Sequence, residues 1–215
     1  EGSSPVTLLF LYQGEVMDNI SLALNNFKEL MNCNYVFIIV CNKQKSDIKL
    51  TFESKDFYHL VGFQYLKDID IPKNEKQLFK KIESLKITDE YLGKSVFYTK
   101  VDYSYANVKE RISGFKDVDK FIENKNIICR YIKTNNPSSA IKADYLIKST
   151  LYNRTAYMFL RKRSKGDEYC MCSFFMQPQN EYIGQKTYWL YKAKKRISDN
   201  YVKILLDRIS ESTEQ

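Results

Sequence analysis

From Asp18 onward the apolar residues Ile20, Ala23, Leu24, Phe27, Leu30 and Met31 recur at intervals of three and four. That repeat lines one face of an α-helix, and Asp18 or Asn19 can cap its start. Two runs rich in β-branched and aromatic residues follow, Tyr35 to Cys41 and Ile48 to Glu53, with the polar stretch Asn42 to Asp47 between them. They predict a strand pair. Ser54 then caps a short helix through Asp56-Phe57-Tyr58-His59-Leu60, interrupted near Gly62 and ended before Pro72. Helical spacing returns over Asn74 to Lys86, Asp89 to Gly93, Val101 to Ile112 and Asp117 to Asn124, with Asn, Asp or Gly at the joints.

After Asn126 the pattern changes to short β-rich runs: Ile127 to Lys133, Ala143 to Ser149, Thr155 to Arg161, Tyr169 to Gln177 and Tyr182 to Ala193. The joints Asn135-Asn136-Pro137-Ser138-Ser139, Tyr152-Asn153, Lys165-Gly166-Asp167 and Pro178-Gln179-Asn180 are short enough for a sequential antiparallel meander. Strict alternation in the fourth run puts Cys170, Cys172, Phe174 and Met176 on one face and Tyr169, Met171, Ser173 and Phe175 on the other. From Arg196 the residues Ile197, Tyr201, Ile204, Leu205 and Arg208 suggest a closing helix. The expected fold is α+β: residues 1–124 mainly helical with a small strand pair, packed on an antiparallel sheet of four to five strands and a terminal helix in residues 125–215, all in one compact domain.

Composition changes this picture little. Hydrophobic residues at 44% and charged residues at 28% of the 215 are ordinary for a globular chain. Glu1-Gly2-Ser3-Ser4 reads as a cloning remnant. The apolar run Val6 to Tyr12 has neither basic flank nor cleavage site, so a cytoplasmic protein is expected. No run reaches the roughly 20 apolar residues of a membrane-spanning helix, so no membrane partner is expected. Five cysteines, Cys33, Cys41, Cys129, Cys170 and Cys172, are scattered through apolar stretches and read as reduced thiols. With a single histidine and one close cysteine pair, a structural zinc site is not expected, nor is another cofactor.

Charge is more informative. Residues 1–124 hold 17 Lys and Arg against 18 Asp and Glu, whereas residues 125–208 hold 17 against 6. A basic face of that kind attracts polyanions such as nucleic acid; a solvated lysine-rich surface is the plainer explanation.

Gly93-Lys94-Ser95 lacks the glycine that a phosphate-binding loop needs five residues earlier, since Thr88 stands there. The glycines are too dispersed for a dinucleotide loop, and Gly-x-Ser-x-Gly is absent. His59 is the side chain whose ordinary titration suits proton transfer near neutrality, and a histidine packed at a helix edge is the alternative. Cys-His catalysis would pair His59 with a distant cysteine. Tyrosines interleave with cations at Arg130-Tyr131, at Tyr145 with Lys148, and at Tyr188-Trp189 with Lys186 and Lys192. Such pairs stack bases and neutralise phosphates, or simply follow strand preference.

Phe57-Tyr58-His59-Leu60-Val61-Gly62, then Lys142-Ala143-Asp144-Tyr145-Leu146, Tyr157-Met158-Phe159-Leu160 and Ser173-Phe174-Phe175, followed by Tyr182 and Gln185, stand in an order that resembles a phage-associated family within the barnase, EndoU, colicin and RelE-like group of metal-independent ribonucleases. The resemblance runs from about Val36 to Lys192 and leaves the N-terminal helix and strand pair unaccounted for. It implies RNA cleavage by 2′-hydroxyl attack to a 2′,3′-cyclic phosphate, with no metal or other cofactor. On that reading His59 transfers the proton and Tyr182 is the second proton-transfer or hydrogen-bonding group. Ser173 orients the phosphate, and Gln185 donates to it or reads a base edge. Arg111, Arg130, Lys148 and Lys142 supply charge stabilisation. RNA is the expected partner, with an acidic inhibitor or antitoxin protein as a second. A non-enzymatic phage or mobile-element module that binds nucleic acid or protein, such as an inhibitor of a host defence complex, is the competing function; a domain that binds protein through exposed aromatics is a third.

Overall fold

A computed structural model describes residues 18–100, 107–176 and 182–210. The Glu1-Gly2-Ser3-Ser4 start, the run Val6 to Tyr12, the beginning of the helix expected at Val101 and the turn Pro178-Gln179-Asn180 lie outside these residues.

Helix α1 (Asn19–Met31) starts where Asp18 Oδ1 accepts the Ser21 amide at 3.0 Å, and it buries Ile20, Ala23, Leu24, Phe27 and Leu30, the face its spacing predicts. Strands β1 (Cys33–Cys41) and β2 (Gln44–Leu50) meet at a two-residue turn in which Asn42 and Lys43 have φ of 49° and 64°. Paired left-handed residues match the twist of a tight hairpin. β2 begins earlier than expected, because its first half is polar and exposed and only Ile48 and Leu50 enter the core. A 3₁₀ turn (Ser54–Asp56) leads into α2 (Phe57–Leu60). Glu53 rather than Ser54 caps this turn, its amide donating to Asp56 Oδ2 at 2.9 Å. Helices α3 (Glu75–Glu83), α4 (Asp89–Leu92), α5 (Val108–Phe115) and α6 (Val118–Glu123) follow.

Strands β3 (Asn126–Tyr131), β4 (Tyr145–Leu151), β5 (Arg154–Lys162) and β6 (Tyr169–Met176) form the expected meander. Tyr152 and Asn153, at φ 51° and 58°, make the β4–β5 turn. The rest of the sheet departs from expectation. The run from Tyr182 to Ala193 does not add a fifth strand beside β6; it divides into β7 (Gly184–Lys186), which pairs with β3, and β8 (Tyr188–Arg196), which pairs with β1. Instead of a small strand pair packed on a separate four- to five-stranded sheet, the described residues form one nine-stranded sheet, β7-β3-β4-β5-β6-β2-β1-β8-β9. Its pairing crosses the expected 124/125 boundary. Because β7 and β8 are separated by Thr187 alone, the sheet curls until β7 and β3 lie beside β8, the strand next to its other edge, and Trp189 Nε1 donates to the Asn126 carbonyl at 2.9 Å across that seam.

The closing helix is also corrected. Residues Val202–Asp207 form strand β9, paired with β8 through a turn at Asn200, whose φ is 58°. A short apolar run fits either period, and here the open edge of β8 decides it. In β6 the alternation breaks: Phe159 pairs with Ser173 but Leu160 with Met171, so Cys172 is the extra residue of a β-bulge. Met171 therefore shares the core with Phe174 and Met176, while Cys172 joins the side of Phe175.

The strands β4–β6 are covered on both faces. One face packs on the helices through Phe27, Phe57, Phe115 and Phe174, with ring centroids 5.1 Å apart for Phe27–Phe57 and 5.3 Å for Phe115–Phe174. The other carries a smaller cluster of Tyr131, Leu146, Tyr157, Phe159 and Phe175.

Candidate active site

The position of His59 follows from its neighbours. Phe57 and Leu60, three residues apart on α2, are buried, and Phe57 packs edge-on to Phe79 at 5.6 Å. One turn of helix anchored on that side leaves His59 facing outward and exposed. After α2 the chain reverses at Gly62, whose φ is 88°. A Cβ there would lie 3.0 Å from Arg111 Cδ, so glycine both accepts the left-handed conformation and lets the arginine pass.

His59 lines a cavity of about 600 Å³. One wall is the α2 region, the other is the segment Ala140 to Lys142, and the bulged part of β6 forms the floor. The side chains that matter chemically are Lys55, His59, Lys142, Arg161, Ser173 and Phe175. The second wall is tied down by Ser139 Oγ, which accepts the Ile141 amide at 3.1 Å, and by Cys172 Sγ, which donates to the Lys142 carbonyl at 3.7 Å. Asp56, the lining carboxylate, is engaged by Arg163 Nη2 at 2.7 Å in a pair whose side chains are only 9% and 10% exposed. Lys142 and Arg161 enter no ion pair among the described residues, so the cleft is cationic.

Cys170 and Cys172 also line the cleft, but burial pushes the Cys172 thiol up to about 12 and raises that of Cys170. Both stay protonated at neutral pH, which makes them poor partners for His59 in nucleophilic catalysis. Among the described residues no three His, Cys, Asp or Glu side chains converge as metal ligands would.

The other expected site residues divide into three groups. His59, Ser173 and Lys142 meet in the cleft. Arg111 does not reach its surface: it is 1% exposed, its guanidinium lies 4.6 Å from the Phe175 ring, and Nη1 donates to the His59 carbonyl at 3.4 Å. The residue expected to supply charge stabilisation thus stands behind the floor of the cleft. Tyr182 is half-buried and stacks on Phe175 at 6.3 Å, with its rings 7° from parallel; burial pushes its hydroxyl up to about 12. Lys148 lies on the same aromatic face, 5.4 Å from the Tyr157 ring. Arg130 and Gln185 sit elsewhere. They pair with each other across β3 and β7, and Arg130 also pairs with Tyr145 and so shares the opposite face of the sheet. Sequence reasoning missed Lys55 and Arg161. The basic run Arg161-Lys162-Arg163 was the available signal, but only the fold brings its first residue beside His59.

The family profile described as phage-Barnase-EndoU-ColicinE5/D-RelE like nuclease 4 matches residues 19–213. No curated protein and no solved structure matches the chain. The match takes in α1 and the β1–β2 pair, which the resemblance read from short motifs had left out. Spanning nearly all of the sequence, it shows that the chain belongs to this family of phage-associated nucleases.

Proposed function

We propose that the chain is a metal-independent endoribonuclease whose active site is the His59 cleft. The observation that carries this reading is the meeting of an exposed imidazole with Lys142, Arg161 and the Ser173 hydroxyl in one cavity. Cleavage of RNA requires a proton to leave the ribose 2′-hydroxyl as its oxygen attacks phosphorus. The bond to the 5′-oxygen then breaks, and that oxygen takes up a proton. The products are a 2′,3′-cyclic phosphate and a 5′-hydroxyl.

His59 takes the 2′ proton. Lys142, Arg161 and Lys55 surround the position where negative charge accumulates on the phosphoryl oxygens, and fixed cations in a partly enclosed cleft favour that charge. The buried Arg111 adds a positive charge behind the floor and holds the carbonyl of His59, which makes it a positioning residue. Ser173 orients the phosphate. Tyr182 keeps its proton at neutral pH, so it serves as a hydrogen-bond or proton donor and not as a base. Lys148 on the aromatic face offers charge to a flanking nucleotide; Arg130 and Gln185 face away and are assigned no part in the reaction. An acidic inhibitor protein would find its complement in the same cationic cleft.

The test is incubation of the protein with RNA in excess EDTA, followed by analysis of the product ends. The reading predicts cyclic phosphates and 5′-hydroxyls, with a rate lowered about 10²- to 10⁴-fold in His59→Ala. Binding of RNA without cleavage would replace it by the non-enzymatic alternative.

A further inference from the structure

A second cavity of about 560 Å³ adjoins the first and shares Lys55, Asp56, Arg161 and Cys170 with it, so these four residues stand between the two. Beyond the shared residues it is lined by Lys162, Arg163 and Lys165, with Glu53 as the added carboxylate. Both carboxylates are already satisfied: Arg163 holds Glu53 at 3.0 Å and Asp56 at 2.7 Å, and Lys55 holds Glu53 at 2.6 Å. Lys162 pairs with Asp167 at 2.7 Å, but Asp167 is 98% exposed, and an ion pair in water is readily exchanged for another anion. Arg161 and Lys165 enter no ion pair among the described residues. The turn that carries Lys165 stands clear of its surroundings, since a Cβ added at Gly166 would meet nothing within 4 Å.

We infer that this second cavity binds a further backbone phosphate of the same RNA strand, with Arg161 at the junction between the two positions. The inference rests on the proposed ribonuclease reading and narrows the substrate to single-stranded RNA longer than a dinucleotide. A dinucleoside monophosphate has only the scissile phosphate and leaves the second cavity empty. A hexanucleotide fills both, and cations that track a backbone in this way read charge and not sequence.

The experiment compares a dinucleoside monophosphate with a hexanucleotide containing the same central step, using wild type and the double variant Lys162→Ala/Lys165→Ala. Both side chains are exposed, so the variant is expected to fold. The expected result is a fall of about tenfold in kcat/KM on the hexanucleotide with the dinucleotide rate unchanged. Equal losses on both substrates, or none on either, overturn the inference. If wild type cleaves neither, the ribonuclease reading fails, and binding of the 2′-O-methyl forms decides separately. Weaker binding of the hexanucleotide by the variant, with a salt dependence shallower by about 0.7 per lost phosphate contact, supports the second cavity. Identical affinities and salt slopes overturn it.

Discussion

Strands β4, β5 and β6 have two faces, and the difference between them explains much of the molecule. On one face Ile147, Met158, Leu160, Phe174 and Met176 meet the helices in a core of apolar side chains. On the other, Leu146 and Phe159 stand among Tyr131, Tyr157, Phe175 and Tyr182, with Lys148 over Tyr157 and Arg111 over Phe175. Side chains with an apolar body and a polar tip keep a surface packed yet chemically competent. The second face therefore supports the cleft while the first holds the fold.

The sharpest way to break this comparison lies within α2. Phe57→Ala is expected to cost about 3–5 kcal/mol of stability, because the ring is wholly buried among Phe27, Phe63 and Phe79. His59→Ala, two residues away and exposed, should leave stability within about 0.5 kcal/mol while cleavage falls. Chemical denaturation beside a cleavage assay checks both.

A second contrast sets the seam of the sheet against the cleft. Lys192 is buried near Trp189, donates to the Asn124 carbonyl at 2.9 Å, and is pushed down to about 8 by burial, with Glu123 opposing the shift. Above that pH the unfolded chain still holds the proton that the folded chain has released. Stability due to this group therefore rises with pH, from about 8 toward the ordinary lysine range. Lys192→Met should remove that rise, so the stability of wild type relative to the variant should climb by about 2–3 kcal/mol between pH 7.5 and 10. Taking the difference cancels the opposing trend from half-buried Cys129 and Tyr182, which are pushed up to about 11 and about 12.

Smaller effects test the supports of the cleft. Arg163→Met leaves Asp56 without its guanidinium and is expected to cost about 2 kcal/mol, a loss that a double-mutant cycle with Asp56→Asn should show to be shared. Gly62→Ala is expected to cost about 1–2 kcal/mol, from the left-handed backbone and the approach to Arg111. Thermal denaturation of each variant measures both.

Local chemistry made part of this architecture legible. Asp18 caps α1, Tyr152-Asn153 turns β4 into β5, and the i, i+3 pair Phe57 and Leu60 sets His59 outward, all within a few residues of sequence. What escaped depends on distant partners. Ile197, Tyr201, Ile204 and Leu205 are spaced as a helix would space them, yet the free edge of β8 draws Val202–Asp207 into a strand. Nothing near Thr187 announces that the sheet curls there. The bulge at Cys172 reverses the faces of Tyr169 to Cys172 relative to strict alternation, and only pairing with β5 reveals it. In the cleft, His59, Lys142 and Ser173 were legible as residue types in a familiar order, whereas Arg161 belongs because β5 ends beside α2. Gln185 was grouped with them by sequence order and Arg130 as a cation, and their strand register turns both to the other face.

Because the chain has a single histidine, its imidazole signals in an NMR spectrum report on His59 alone. The central claim, that RNA binds for cleavage in the cleft lined by this residue, is tested by titrating in a 2′-O-methyl oligonucleotide, which binds but lacks the attacking hydroxyl. The account predicts that the His59 signals shift in step with binding and that Lys142→Ala weakens both together. Saturable binding that leaves those signals unmoved would place the RNA elsewhere and contradict it.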